Sequence, residues 1–161
     1  VPDHLVASDQ TERLAQLSRF QLTPENHRHL AQVAADNGTM FISTPFSLDA
    51  VDMLEPLVPA YKVSSGDNDF VALLERISKT GKPVILSTGM TEFDGVAFSV
   101  GTLKRAWANA NIADPGLVIL HCVSASPTPA EQANLSAIRT LSNSFLLSTI
   151  NFFICLLAYC I

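Results

Sequence analysis

Between residues 23 and 141, short runs rich in Val, Ile and Leu alternate with amphipathic stretches, and this alternation limits the possible folds more than any other feature of the chain. The apolar runs cover residues 40–44, 60–65, 83–88 and 117–123. Their length and composition predict four strands, each buried on both faces. The stretches between them have legible helix ends. Thr23-Pro24-Glu25 reads as an N-cap, a proline at the first helical position and a first-turn acid, and Gly38 stops that helix after Asn37. Leu30, Val33 and Ala34 share one of its faces. A second helix is expected over 48–57, with Val51, Met53 and Leu54 inward. A third is expected over 69–80, with Leu73, Leu74 and Ile77 inward and Gly81 as its stop. Thr91 and Asp94 form an approximate capping box for a fourth, out to Ala110, and Thr128-Pro129 opens a fifth that ends near Leu141. Strand–helix alternation at this pitch gives βα units and a parallel sheet. A (β/α)8 barrel and a doubly wound sheet both fit, and periodicity does not choose between them.

At 161 residues the chain can bury one core, and with 48% hydrophobic and 16% charged residues it is not a disordered chain. A net charge of −5 leaves no basic stripe to neutralise phosphates, which argues against nucleic-acid binding. An acidic chain can still hold a small anion where a few donors converge. Cys122, Cys155 and Cys160 are odd in number and fit no zinc spacing, and no secretory signal opens the chain, so a reducing cytoplasm is expected. His27 and His29 stand two apart on a helix and point away from each other, His4 lies in the N-terminal piece, and no metal site is expected.

The ends of the chain differ from its middle. It starts at Val1 rather than Met, and residues 1–22 are expected to be the remnant of a preceding βα region. Arg139 is the final charged residue, and residues 142–161 form a hydrophobic tail that closes with FLLSTINFFICLLAYCI. As a helix those last residues would span ~26 Å, short of a ~30 Å hydrocarbon core. Ser148, Thr149 and Asn151 weigh further against a membrane span, as does the lack of flanking Lys or Arg. The abrupt change of composition favours a frameshifted end.

The residues just after each apolar run carry the chemistry. The runs end in Ser43-Thr44, Ser64-Ser65-Gly66-Asp67, Ser87-Thr88-Gly89 and Ser124. In a parallel sheet all C-terminal strand ends lie on one edge, so these hydroxyls converge beside helix N-termini, an arrangement suited to an anionic oxygen. Taken singly, each Ser or Thr has an ordinary use as a helix cap. Lys62 sits inside the second run, where a buried ammonium requires an anion unless it reaches solvent or pairs with Asp67 or Asp69. His121 is expected to be a hydrogen-bonded core histidine, and Cys122 a packing residue. Together the set points to a site for a phosphorylated or carboxylated small molecule.

Four stretches at these strand ends resemble the sialic acid synthase family, which includes N-acetylneuraminate synthases and relatives that make legionaminic, pseudaminic and spore-coat sugars. They are FISTPF at 41–46, YKVSSGD at 61–67, GKPVILSTGM at 81–90 and LHCVSASPTP at 120–129, followed by Asn134-Leu135. The resemblance covers residues 25–141. It implies an α/β fold, here a partial (β/α)8 TIM barrel of about four βα units over residues 23–141. It also implies condensation of phosphoenolpyruvate with N-acetylmannosamine or a related N-acetylated hexosamine. In that family a divalent metal, manganese or magnesium, polarises the sugar aldehyde, and the intact enzymes are often homodimers. Carried over by motif, Thr44, Lys62, Ser65, Ser87 and Ser124 would bind phosphoenolpyruvate, while Asp67 and Ser126 would face the sugar.

The departures from the family pattern are specific. Ser124 stands where a relative has Asn, Asp67 where Glu is common, and Ser126 where Tyr is common. The Gly-x-Ser-Asp-His-Thr segment expected after Leu141 is missing, so this chain is expected to lack the metal ligands and to be inactive alone. Two other readings are a different phosphoenolpyruvate-dependent aldol synthase, of the octulosonate or heptulosonate phosphate type, and a non-enzymatic membrane-associated fragment.

Overall fold

The computed structural model describes residues 18–125 and 127–145. The predicted remnant at 1–22 lies almost wholly outside the described residues, as do His4, Ser126, Cys155, Cys160 and the tail beyond Phe145. The chain divides into two compact units, residues 1–39 and 40–161.

The first unit contributes α1 (Pro24–Asp36). Its start bears out the predicted N-cap, the Thr23 hydroxyl accepting from the Asn26 N–H at 3.2 Å, and adds a bond the sequence reading did not foresee, Asn26 Oδ1 accepting from the Thr23 N–H at 3.0 Å. This reciprocal cap satisfies two backbone donors that the helix itself cannot. Leu30 and Val33 remain 40% and 42% exposed.

In the second unit the order is α2 (Leu48–Leu54), β1 (Tyr61–Val63), α3 (Val71–Ser78), β2 (Val84–Ser87), α4 (Phe93–Asn109), β3 (Leu117–Leu120) and α5 (Ser136–Ser144). The strands form a parallel sheet in the order β1-β2-β3, with Tyr61 opposite Val84 and Val84 opposite Leu117. Parallel neighbours need a crossover, and α3 and α4 supply the two crossovers. α3 reads as predicted. Leu73, Leu74 and Ile77 are fully buried, each worth on the order of 2 kcal/mol of apolar burial, and Gly81 at φ +68 adopts the left-handed conformation that stops the chain from continuing as helix.

Four expectations are corrected. Residues 40–44 are not a strand: the segment has no place in the sheet, and it runs into Pro45, which has no N–H to give a ladder. Three strands, not four, therefore make up the sheet among the described residues. Nor are the strands sealed on both faces. Tyr61, Val63, Val84, Leu86, Leu117 and Ile119 point one way and are at most 2% exposed, under helices that cover that face. Lys62, Ile85, Val118 and Leu120 point the other way and are only half-buried. The Thr91–Asp94 capping box does not form. The N-cap of α4 is Glu92, which puts Gly95, a residue with no side chain to reciprocate, three positions on. The fifth helix is split as well. The Thr128 hydroxyl donates to the Ala125 carbonyl instead of capping, a short 3-10 turn covers Ala130–Gln132, and Asn134 at φ +43 separates that turn from α5.

Polar contacts pin the sheet to its helices. The Tyr61 hydroxyl donates to the Val51 carbonyl at 2.8 Å, which ties β1 to α2, and burial pushes the phenol's pKa up to about 12, so it remains a donor. Arg76 on α3 reaches Asp52 at 2.6 Å and Glu55 at 3.0 Å. The Lys82 ammonium donates to the carbonyls of Glu55 and Val58. The ring of Phe145 stacks on Phe93 at 5.6 Å, joining the end of α5 to the start of α4.

Candidate anion-binding edge

Because all three strands run the same way, the loops that leave them share one edge, where the hydroxyls of Ser65 and Ser124 meet the loop after β2. Ser65 opens a 3-10 turn (Ser65–Asp67) directly after β1, and its hydroxyl oxygen accepts the Gly89 N–H at 3.1 Å. Ser124, after β3, accepts the neighbouring Met90 N–H at 3.1 Å. Two consecutive amides of the β2 loop are thus held by serines from the loops on either side. Each serine accepts through a lone pair and keeps its O–H proton to donate.

The close approach depends on Gly89. A Cβ at that position would lie 2.9 Å from Ser65 Oγ and 3.3 Å from Cys122 Cβ, and real Cβ atoms essentially never come as close as the first of these. Met90 takes φ +60, an uncommon conformation for a residue with a side chain, and its side chain is 76% exposed.

Ser87 is the notable residue of the set. It ends β2 and shares Lys62's parity, since Lys62 pairs with Ile85 and Ser87 stands two residues further on. It is fully buried, and its hydroxyl has no hydrogen-bond partner among the described residues. An unsatisfied buried hydroxyl costs about 1–3 kcal/mol, an expense a folded protein ordinarily avoids. Its neighbour Thr88 is satisfied, donating to the Leu120 carbonyl at 2.8 Å.

The remaining predicted residues are placed less closely. Lys62 is half-buried on the same sheet face as Ser87. Thr44 is half-buried in the irregular segment before α2, so it is not at a strand end as expected. Asp67 closes the turn after β1, and burial, then the charge of Asp69, holds its carboxyl above the ordinary aspartate range. Ser126 lies outside the described residues. Asn68 was not singled out by the sequence, yet it is buried and its side chain reaches the Gly89 carbonyl at 3.5 Å. Its polarity next to a Gly-Asp turn reads as an ordinary loop residue, so no sequence signal marks it.

His121 behaves as a hydrogen-bonded structural histidine: half-buried, with Nε2 donating to the Ala133 carbonyl at 2.8 Å. Cys122 is half-buried, with its Sγ 3.6 Å from the Leu120 carbonyl. Among the described residues no three His, Cys, Asp or Glu side chains are placed to hold a metal ion, and no helix is long and apolar enough to cross a membrane. A cavity of about 410 Å³ opens between the start of α4 and α5, with Thr88, Glu92, His121 and Thr140 in its wall. None of the predicted binding residues lines it.

A family model described as the NeuB family matches residues 3–150. An uncharacterized protein of Methanocaldococcus jannaschii is 42% identical over 139 residues, covering 86% of this chain and 40% of that protein. The N,N'-diacetyllegionaminic acid synthase of Campylobacter jejuni is 30% identical over 140 residues, again with 86% of this chain and 40% of the relative covered. Among solved structures, the N-acetylneuraminic acid synthetase of Leptospira borgpetersenii, crystallised with citrate, superposes with a TM-score of 0.79 at 26% identity, over 91% of this chain and 49% of that one. The chain therefore spans less than half the length of these relatives.

Proposed function

The chain belongs to the NeuB family, and on that premise we propose that it is the phosphoenolpyruvate-binding sector of a (β/α)8-barrel sugar-acid synthase. The whole protein would form a carbon–carbon bond between phosphoenolpyruvate and an N-acetylated hexosamine such as N-acetylmannosamine. The observation that carries this reading is the buried, unpartnered hydroxyl of Ser87 on the sheet face that also bears Lys62. A hydroxyl kept buried and unpaired in the free protein is satisfied when an anionic oxygen arrives.

In this reading the Lys62 ammonium balances the ligand's charge, and Ser87, Ser65 and Ser124 donate O–H bonds to its oxygens. Thr44 adds a further hydroxyl from the segment before α2. The Asp67 carboxyl faces the sugar, where its oxygens accept from hydroxyl groups, and the family motif implies Ser126 as the second sugar-side residue. The family implies a divalent metal, manganese or magnesium. The described residues do not furnish a ligand set for it, and anion binding is the part of the chemistry that their donors supply. A homodimer in a reducing cytoplasm is the setting that suits the habit of the family.

Calorimetric titration with phosphoenolpyruvate tests the reading. Ser87→Ala should weaken binding about tenfold or more, the worth of a bond to a charged group. The ligand-free chain should meanwhile be no less stable, because no existing bond is lost. Lys62→Ala should weaken binding further. No measurable binding by the unaltered chain, or equal binding by Ser87→Ala, would overturn the reading.

A further inference from the structure

We propose that Asn68 and Ser99 are positioning residues that set the Ser65 hydroxyl for its anion, an inference that rests on the phosphoenolpyruvate reading. The loop after β1 grips the Gly89 residue at both of its backbone polar groups. Ser65 Oγ accepts from the Gly89 N–H at 3.1 Å, and Asn68 Nδ2 reaches the Gly89 carbonyl at 3.5 Å. Asn68 is 6% exposed and Ser65 5%, so both contacts are shielded from water and neither can be exchanged for solvent without opening the loop.

The grip is in turn anchored to α4. Ser99, fully buried, donates its hydroxyl to the Asn68 backbone carbonyl and is also within 2.9 Å of the Gly95 carbonyl one turn earlier. The path is continuous: α4 holds Asn68 through Ser99, Asn68 and Ser65 hold Gly89, and the adjoining Met90 N–H is taken by Ser124. A hydroxyl rotor such as Ser65 has one torsion to settle. With its lone pair committed to Gly89, the O–H can sweep only the remaining directions. The site thereby gains a donor whose orientation is fixed before the ligand arrives, which lowers the ordering cost of binding. Neither Asn68 nor Ser99 has to touch the ligand to do this.

Phosphoenolpyruvate titrations of Asn68→Ala, Ser65→Ala and the double variant of the 161-residue chain separate this role from a general structural one. Asn68→Ala should weaken binding about tenfold, the low end of what a hydrogen bond to a charged group is worth. In the Ser65→Ala background the same change should leave the remaining affinity unaltered, because Asn68 acts through Ser65. Equal losses in both backgrounds would overturn the proposal while leaving the phosphoenolpyruvate reading in place. No binding by the unaltered chain would overturn both. If Asn68→Ala fails to fold, Ser99→Ala gives the same cycle, and Ser99→Thr, which keeps the hydroxyl, should restore binding.

Discussion

Gly89→Ala is the substitution whose outcome the geometry constrains most closely. The added methyl carbon would stand 2.9 Å from Ser65 Oγ, 3.3 Å from Cys122 Cβ and 3.4 Å from Ser65 Cβ. A loose side-chain end could swing aside, but Ser65 Oγ is held by the N–H of Gly89 itself, so relief means breaking that bond. Overpacking costs about 1–3 kcal/mol, and the lost hydrogen bond adds about 0.5–1.5 kcal/mol. A total of roughly 2–4 kcal/mol should lower Tm by about 5–15 °C, at ~2–4 °C per kcal/mol for a chain of this size. If Ser65 donates to the anion as proposed, displacing it should also weaken phosphoenolpyruvate binding about 10- to 100-fold. Scanning calorimetry reads the first effect. Titration well below both transitions reads the second. Gly66→Ala is the comparison, since a methyl there meets nothing within 4 Å and should leave Tm unchanged. Native Tm and native affinity in Gly89→Ala would refute the clamp, and so would equal damage from Gly66→Ala.

Two further outcomes are expected from contacts around the same sheet. Burial and the charge of Asp69 raise the Asp67 carboxyl above its ordinary value, so the folded chain binds that proton more tightly than the unfolded one. Stability is then lost as pH rises from the unfolded pKa through the raised folded one, and is level above it. Urea unfolding of the wild type minus that of Asp67→Asn should show this fall across that window, and a pH-independent difference would contradict it. Lys82→Met removes the ammonium that serves the Glu55 and Val58 carbonyls beyond the end of α2. The unfolding free energy should drop by about 1–3 kcal/mol, and an unchanged denaturation midpoint would mean that solvent serves those carbonyls equally well.

The βα order, the parallel sheet and the edge at which Ser65 and Ser124 meet were legible in the sequence alone. These depend on period, on caps and on the rule that parallel strands end together. The Thr23 N-cap and the inward set Leu73, Leu74 and Ile77 are local in this sense, each written within a few residues. Sequence motifs also singled out Ser65, Ser87 and Ser124, which lie at the C-terminal ends of the strands or in the loops after them. Tertiary structure decided what no window of sequence contains. It left residues 40–44 out of the sheet, because pairing is a property of two segments and not of one. It moved the start of α4 to Glu92 and broke the last helix at Asn134, where competing bonds and a left-handed turn outweighed propensity. It also made Gly89 a point of contact between three loops and left the Ser87 hydroxyl buried without a partner among the described residues. Burial and hydrogen-bond satisfaction are settled by neighbours distant in the chain, and for that reason the site's unsatisfied hydroxyl emerged only from the fold.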